Sequence, residues 1–359
     1  MTRPLSSALT VREAVSSEQD SWDQLVQGFP EHRVVHTRGW LTSLEESRLG
    51  KAYYLVCEKD GCVVGCWPGI LVKYGPFQAF GSPPPKSQTA SMGPLFDSER
   101  VSTHELMAAC VSYLEQRFRV QHFELISGVL DADQMRELGF DGNPVKTHRI
   151  ALSPGNEEEV FRQFNSNARR NVRRAKKLNL EVRFATEDSL IDEAYGQFKD
   201  AFVRGGHSVT FGKGRAAAFF RNMKAAGKLL AATVHLPNGP CIATGLFTVH
   251  GRELLLWQWA YRAEFSSHRP TELMTWEVMK RAMSLGCNTC DLMGGGGFKK
   301  KFGAREDFSQ HRWMRSRSRF VQGARRLGEA YLRKQMAWRG QLAKYWSLFQ
   351  QKDVPAREC

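Results

Sequence analysis

Long apolar runs are missing from this chain of 359 residues, and none approaches the roughly 18 residues that a membrane-spanning helix needs. The first residues, MTRPLSSALTVREA, contain neither the apolar core nor the small-residue cleavage site of a secretory signal. These two absences predict a soluble, cytoplasmic protein that is neither exported nor embedded in a bilayer.

The eight cysteines also lack the spacing of a disulfide framework or a metal site. Cys287 and Cys290 form one CxxC, but no second pair completes the four ligands that zinc prefers. We therefore predict no bound metal, and we place this pair on a strand that leads into the loop at Gly294. Five others fall in apolar segments and are predicted to be reduced core residues: Cys57, Cys62, Cys66, Cys110 and Cys241.

Acidic residues are nearly absent from two strongly basic segments. Residues 165–177 contain six cations and no acid, and residues 312–344 contain ten Lys or Arg against a single acid, Glu329. The formal net charge of +14 is therefore concentrated in these two stretches. Positive charge that is concentrated in this way favours binding to an anionic partner. Positive charge spread evenly over the surface would only maintain solubility.

The first basic segment has the pattern of an amphipathic helix. Its apolar residues recur at intervals of three and four, the spacing of one helix face: Phe161, Phe164, Ala168, Val172, Ala175 and Leu178. An ordinary solvated face is the alternative, but such faces mix both signs, because like charges four residues apart destabilise a helix. We predict that the opposite face binds phosphate groups through Arg169, Arg170, Arg173, Arg174 and Lys177.

The order of predicted elements recurs along the chain and indicates an α/β protein of two similar domains. The first domain, residues 1–146, contains two helices, a strand pair with a turn at 59–61, a Gly-, Ser- and Pro-rich loop, a helix and a strand. The second, residues 147–318, repeats this succession with a mixed sheet flanked by helices. Residues 319–359 are predicted to form a basic amphipathic helix.

The segment CDLMGGGGFKKKFGARE is the most unusual loop in the sequence. Four glycines, Gly294 to Gly297, follow a predicted strand end, where α/β folds bind their ligands. It lacks the GxxxxGK[ST] spacing of a nucleotide P-loop, and a flexible surface turn is the alternative. We predict that Asp291, Gly294, Gly295 and Lys301 contact substrate and that Phe298 and Lys299 lie in the same opening.

Three aromatic residues and one histidine are weaker candidates. Trp257, Trp259 and Tyr261 alternate along a predicted strand and should share one face. Core packing is the first interpretation of that face, and a substrate-pocket wall that includes Trp257 and Tyr261 is the second. His207 is the candidate general base, although a lone loop histidine is more often structural.

The motifs in combination resemble a known family. SNARRNVRRAKKLNLEV is similar to the R-x-N-x-R-x-A-x-K stretch of Fem-type aminoacyltransferases and their FemAB/GNAT-like acyltransferase relatives. RPTELMTWEVMKRAMSLGCNTCDLMGG, followed by FKKKFG, resembles the final motif of the same family. The likeness covers roughly residues 30 to 310, with HTRGWL as a weaker match, and lacks the helical arm that several bridge-forming members carry.

The resemblance implies two tandem GNAT-like domains and transfer of an amino acid from aminoacyl-tRNA to an amine. It implies that Phe298 and Lys299, the FK of the final motif, lie at the reaction centre. Aminoacyl-tRNA would then be a co-substrate without any permanently bound cofactor, and the acceptor a phosphorylated or amine-bearing small molecule from a cell-envelope or natural-product pathway. Lys299 would stabilise the oxyanion of the tetrahedral intermediate.

Two other functions remain open from the sequence. One is an acyl-CoA-dependent N-acyltransferase, although AYRAEFSSHRPTELM lacks the glycine-rich turn on which GNAT enzymes hold pyrophosphate. The other is a non-catalytic protein that binds nucleic acid or a membrane surface, for which the glycine loop would be dispensable.

The C-terminal segment from Arg312 is predicted to be one long helix with apolar residues at near-heptad spacing. Packing against the second domain with an outward basic rim is the preferred interpretation. Peripheral membrane contact and a clamp on tRNA are the alternatives. Its predicted apolar positions are Phe320, Ala324, Leu327, Tyr331, Trp338, Leu342, Tyr345 and Phe349.

Overall fold

The computed structural model describes residues 8–323, together with positions 325–328, 330, 331, 334, 335 and 338. Within these residues, 13 strands form one mixed sheet whose two halves follow each other along the chain. The predicted α/β class is confirmed.

The strands of the first half lie where runs of Val, Ile, Tyr and Phe favour a pleated surface. They are β1 (Thr10–Glu13), β2 (Lys51–Lys59), β3 (Cys62–Tyr74), β4 (Phe77–Ser82), β5 (Leu95–Phe96) and β6 (His122–Ser127). The predicted turn at Asp60 and Gly61 joins β2 to β3, and both residues adopt positive φ. The remaining strands are β7 (Asp141–Ala151), β8 (Glu181–Phe184), β9 (Leu229–His235), β10 (Cys241–His250), β11 (Glu253–Tyr261), β12 (Thr289–Asp291) and β13 (Arg305–Ser316). The strand order in the sheet is β1-β2-β3-β4-β6-β13-β7-β12-β11-β10-β9-β8, and β5 pairs with β3 at the side.

Helices cover both faces of the sheet. The α-helices are α1 (Ser16–Asp20), α2 (Trp22–Gln27), α3 (Arg38–Glu46), α4 (Thr103–Phe118), α5 (Ala132–Glu137), α6 (Glu157–Gln163), α7 (Ser166–Lys177), α8 (Leu190–Arg204), α9 (Lys213–Ala225) and α10 (Pro270–Ser284). One core is shared by the two halves, because α3 and α9 pack together over the sheet, with Trp40 against Phe219. On the other face α4 and α5 cover the first half, and α6, α7 and α10 cover the second.

Each half contains one parallel strand pair after which the two strands separate. β4 and β6 pair in parallel up to Ser82 and Leu125. β11 and β12 pair in parallel up to Leu255 and Asp291, after which β11 continues with β10 as its neighbour on the other side. This repeated arrangement corresponds to the two similar domains that the sequence predicted.

The two halves are joined through β13, which the sequence did not indicate as a strand. β13 lies between β6 of the first half and β7, with antiparallel pairing to both. β7 also pairs with β12, so the predicted division at residue 146 falls inside this strand. Residues 312–316 therefore belong to β13, and the prediction of a helix from Arg312 is wrong at its start.

The basic segment forms a helix as predicted, with one break. Phe164 adopts extended φ/ψ between α6 and α7, and Asn165 caps α7 by accepting a hydrogen bond from the Ala168 N–H. Phe164, Ala168, Val172 and Ala175 are buried as predicted. Leu178 is exposed, because it lies beyond the last turn of α7.

The described C-terminal residues from Arg319 onward are helical, but their apolar side chains do not pack as predicted. Phe320, Leu327, Tyr331 and Trp338 are all exposed. The other predicted apolar positions, Ala324, Leu342, Tyr345 and Phe349, lie outside the described residues. No helix in the described part of the chain is long and apolar enough to cross a membrane.

Candidate active site

A cavity of about 810 Å³ opens at the junction of the two halves. One wall is the loop of residues 83–91, which follows β4. The opposite wall is formed by residues 256–259 of β11 and by residues 291–296, Phe298 and Lys299. The cavity therefore lies where β11 and β12 separate, the position at which open α/β sheets bind ligands.

Lys299 holds the glycine loop in place. Its ammonium donates to the backbone oxygens of Leu292 and Gly294, and to that of Met293 at 3.3 Å. An ammonium has three N–H donors, so these carbonyls occupy all of them. Burial lowers the pKa of Lys299 to about 8, although the nearby Asp291 carboxylate opposes this shift.

Asp291 lies fully buried at the end of β12. Its carboxylate accepts hydrogen bonds from Thr147 Oγ1 at 2.5 Å and from the Met293 N–H at 2.7 Å. Burial by itself would raise its pKa, but Arg33, Thr147 and the Met293 N–H together hold the pKa below the ordinary value. Asp291 therefore remains a carboxylate that fixes the start of the glycine loop.

Arg33 joins the two halves beneath the cavity. Its guanidinium lies 2.6 Å from Asp291, 2.7 Å from Glu253 and 2.6 Å from the Ser91 hydroxyl. The two carboxylates raise its pKa despite burial. Sequence reasoning missed this residue, because its two carboxylate partners lie more than 200 positions away and an isolated arginine carries no local signal.

The aromatic residues of β11 do not share one face, so that prediction is wrong. A β-bulge at Trp257 places Leu246 opposite Gln258 but Phe247 opposite Leu256. Trp257 therefore stacks on Phe219 at 4.2 Å, on the face of α8 and α9. Trp259 and Tyr261 lie on the other face.

Trp257 and Trp259 both line the cavity, whereas Tyr261 does not. The indole N–H of Trp257 is buried without a hydrogen-bond partner in the described part of the chain. Trp259 contacts Phe298 at 5.9 Å and Phe302 at 5.8 Å between ring centroids. Tyr261 instead lies under the guanidinium of Arg204.

A 3-10 helix, Gly297–Phe302, begins at the last of the four glycines and connects the cavity to α7. Lys301 lies 3.1 Å from the buried Glu272, which also accepts a hydrogen bond from Asn171 of α7. The backbone oxygen of Lys301 accepts the Asn165 N–H. Lys301 itself does not line the cavity, in contrast to Phe298 and Lys299.

The cations of α7 face away from the cavity, and none of them lines it. Arg169 donates to the backbone oxygens of Arg162 and Phe164, and Arg170 donates to Asn167. Arg173 lies over the ring of Phe161. Within the described residues, Arg174 and Lys177 have no acidic partner, and both are exposed. The structure thus brings α7 to the back of the Gly297–Phe302 segment and not into the opening.

Backbone geometry accounts for two of the predicted glycines. Gly295 has a φ of +92°, and a Cβ at Gly294 would lie 3.0 Å from the Lys146 oxygen. Both line the cavity, as does the exposed His207. Cys287 and Cys290 are buried near β12, and burial raises the pKa of both thiols.

The sequence did not indicate the first-half wall of the cavity, because proline and serine residues in a loop predict only a turn. Its loop is held by Arg215 of α9, which donates to the Ser87 oxygen at 3.1 Å and to Ser43 Oγ at 2.9 Å. Burial lowers the pKa of Arg215 to about 9. Three further cations from outside the predicted set line the cavity: Lys86, Lys146 and Arg312.

The corresponding opening in the first half is filled by the chain itself. Met92 pairs with Ile126 through two backbone hydrogen bonds of 3.0 and 3.1 Å, and it is fully buried. It occupies the space where β4 and β6 would otherwise separate. Only the second of the two repeated openings is therefore available to a ligand in the described part of the chain.

Comparison with known proteins agrees with this architecture. Residues 162–301 match the family model described as an acetyltransferase (GNAT) domain. No curated protein matches the sequence at a significant level.

Solved structures match over most of the chain. FemX matches with a TM-score of 0.67 at 14% identity, over 84% of this chain and 96% of FemX. A tandem GNAT protein from the clavulanic acid biosynthesis pathway matches with 0.53 at 11% identity, over 86% and 99% of the two chains. L-PGS from Bacillus licheniformis matches with 0.52 at 9% identity, over 90% and 98%. The chain therefore has a tandem GNAT fold similar to that of FemX, and the residues that match the GNAT family model lie in its second half.

Proposed function

We propose that this protein forms an amide bond by transferring an aminoacyl group from aminoacyl-tRNA to an amine on a small acceptor. The observation that carries the proposal is the open separation of strands between β11 and the loop after β12, the single such opening among the described residues, with Lys299 at its edge. The matching separation in the first half is filled by Met92. The donor's acyl group therefore enters the second half, and the acceptor binds against the first-half wall.

The walls of the cavity suit a small acyl group near its inner end. The bulge at Trp257 interrupts the pairing of β11 with β10 at the point where β11 lines the cavity. The unpartnered indole N–H of Trp257 is a donor for a carbonyl or amine substituent of the substrate. Trp259 and the half-exposed Phe298 cover the opening and reduce its contact with water.

Lys299 is the residue that we assign to the reaction itself. The acceptor nitrogen, as a neutral amine, attacks the ester carbonyl carbon and forms the new C–N bond. The ester C–O bond then breaks, and the departing ribose oxygen takes up a proton from the amine. The oxyanion of the tetrahedral intermediate takes the Lys299 N–H that now points to Met293, because this hydrogen bond is the longest of the three.

The acceptor side carries positive charge. Lys86 of the first-half wall, Lys146 of β7 and Arg312 of β13 line the cavity, although Lys146 is shared with Glu306 and Arg312 with Glu124. This charge favours an acceptor with a phosphate or carboxylate group in addition to its amine. Arg33 is not available to such a group, since Glu253, Asp291 and Ser91 use its donors.

The cations of α7 are assigned to the nucleic-acid part of the donor, outside the cavity. α7 runs beside α10, with Asn171 bonded to Glu272 and Lys176 to Glu277. Four exposed cations on this outer surface, Arg170, Arg173, Arg174 and Lys177, suit a phosphate backbone that approaches past the Gly297–Phe302 segment.

Acyl-CoA is the second candidate donor, and the GNAT domain match over residues 162–301 favours it. The connection between β11 and α10 is a 3-10 turn, Ala263–His268, without a glycine run. Pyrophosphate binding to backbone N–H groups would need such a loop to come close to the ligand. We therefore rank this donor below aminoacyl-tRNA.

Direct competition between donors tests the proposal. The purified protein is incubated with an extract of small amine-bearing molecules and with labelled aminoacyl-tRNA or labelled acetyl-CoA. We expect a label in an alkali-stable amide with aminoacyl-tRNA only. Label from acetyl-CoA alone would support the second donor, and label from neither would contradict acyl transfer.

A further inference from the structure

The helical C-terminal residues have a docked side and an exposed apolar side. On the docked side, Val321 is buried, Gln322 lies 3.5 Å from Asp141, and Arg325 lies 2.5 Å from the buried Glu124. These contacts fix the start of the helix on the body of the protein beside the cavity, because Glu124 also lines that cavity.

The opposite side presents four large apolar residues to solvent. At about 100° per residue, Phe320, Leu327, Tyr331 and Trp338 fall within about 20° of one line along the helix. Their exposed fractions are 74%, 74%, 67% and 63%. Isolated surface hydrophobics are ordinary, but four of the described residues on a single line form a stripe that is typical of a docking surface.

The charge beside the stripe identifies its partner. Arg319, Arg326 and Lys334 are exposed and lie on one flank of the stripe. The sequence from 312 to 344 contains only one acid, Glu329. A second copy of this chain would bring like charges together. An anionic lipid surface supplies both the counter-charge and an apolar layer for Phe, Leu, Tyr and Trp side chains.

We propose that this stripe docks the protein on an anionic membrane surface, with Leu327, Tyr331 and Trp338 inserted at the boundary between headgroups and acyl chains. Phe320, whose ring centroid lies 6.2 Å from that of Phe77, marks the end of the stripe at the body of the protein. The basic flank contacts the lipid headgroups. Since Arg325 and Arg312 share Glu124, docking holds the first-half wall of the cavity close to the membrane. Acceptors at a lipid surface then reach the cavity from the docked side.

Vesicle flotation of the full chain tests this surface. With vesicles of phosphatidylcholine containing about one-third phosphatidylglycerol, we expect binding that falls roughly tenfold or more in Leu327→Glu and in Trp338→Glu. The matched control is Leu285→Glu, a half-exposed leucine at the end of α10 and away from the stripe. It should bind as the wild type does.

A second pair of variants separates charge from insertion. Arg326→Gln combined with Lys334→Gln should weaken binding to the vesicles with phosphatidylglycerol and leave binding to pure phosphatidylcholine unchanged. Equal binding of wild type and Leu327→Glu would overturn the proposal. The proposal would also be overturned if Leu327→Glu lost tRNA binding but kept vesicle binding. Conversion of a dimer to a monomer by this substitution would overturn it as well.

Discussion

The guanidinium of Arg33 lies 2.6 Å from the carboxylate of Asp291, and this ion pair connects the first half of the chain to the end of β12. Asp291 in turn bonds the N–H of Met293, the residue that precedes the glycine loop. The position of the loop, and of Lys299 within it, therefore depends on a contact between the two halves.

Removal of this contact should destabilise the protein. Arg33→Met leaves Asp291 and Glu253 as buried charges without their main partner, and a broken buried pair costs about 3–5 kcal/mol. The free energy of unfolding in urea measures the effect. Arg183→Met, which removes the exposed pair with Glu181, is the control and should change stability by about 1 kcal/mol or less. Equal effects of the two substitutions would contradict the assigned role of Arg33.

Acid should weaken the same contact. The pKa of Asp291 in the folded protein lies below its ordinary value of 3.8, so its stabilisation is present at neutral pH and is lost as the pH falls through the folded value. The measurement is the difference in unfolding free energy between wild type and Asp291→Asn from about pH 7 to about pH 3. This difference in unfolding free energy should become smaller once the pH falls below the ordinary pKa of 3.8. A difference that stays constant over the range would argue against a low pKa for Asp291.

Lys299→Met should lower turnover by roughly a hundredfold, because the loss of one oxyanion donor costs about 3 kcal/mol. The control is Lys300→Met: Lys300 is exposed and pairs with Glu306. It should stay within a few-fold of wild type. Since Lys299 also holds the glycine loop, a circular dichroism melt must accompany the assay. A merely few-fold loss in Lys299→Met would reject the catalytic role.

Lys299 should also set the alkaline limb of the rate profile. Its pKa is lowered to about 8, so the cationic form that stabilises an oxyanion disappears as the pH rises through that value. We expect kcat to fall above about pH 8 in the wild type. An arginine stays protonated in this range, so Lys299→Arg should have lower activity but no such fall. The same alkaline limb in both proteins would assign it to another group.

The cations of α7 should govern the salt dependence of tRNA binding. Each of Arg170, Arg174 and Lys177 that contacts a phosphate contributes about 0.7–0.9 to the slope of log affinity against log salt. The triple substitution by Gln should therefore weaken binding and lower this slope by about 2. Lys199→Gln, an exposed lysine of α8, is a control that should leave the slope unchanged. An unchanged slope in the triple variant would place the tRNA elsewhere.

Local patterns in the sequence predicted the elements that depend on nearby residues. Spacing of Phe164, Ala168 and Val172 identified α7, and the strand–glycine–Phe298–Lys299 order identified one wall of the cavity. Alternation failed at Trp257, because a bulge depends on the pairing with β10 and not on the residues of β11 alone.

The other parts of the site depend on contacts between residues that are distant in the chain. The role of Arg33 depends on its ion pairs with Glu253 and Asp291. Residues 83–91 form a wall of the cavity because Arg215 holds this loop through a hydrogen bond to the Ser87 oxygen. The insertion of β13 between β6 and β7 likewise has no local signal. The sequence predicted that the cations of α7 lie opposite its apolar face. The sequence could not predict that this cationic face points away from the cavity, because that depends on how α7 packs on α10.

Photo-crosslinking tests most directly the claim that the donor enters the second half. Aminoacyl-tRNA with a photoreactive acyl group is irradiated with the protein, and the labelled peptide is identified by mass spectrometry. We expect the label within residues 256–259 of β11 or within residues 291–299. Label in residues 83–91, or at Glu124 or Ile126, on the first-half side of the same cavity, would contradict this assignment.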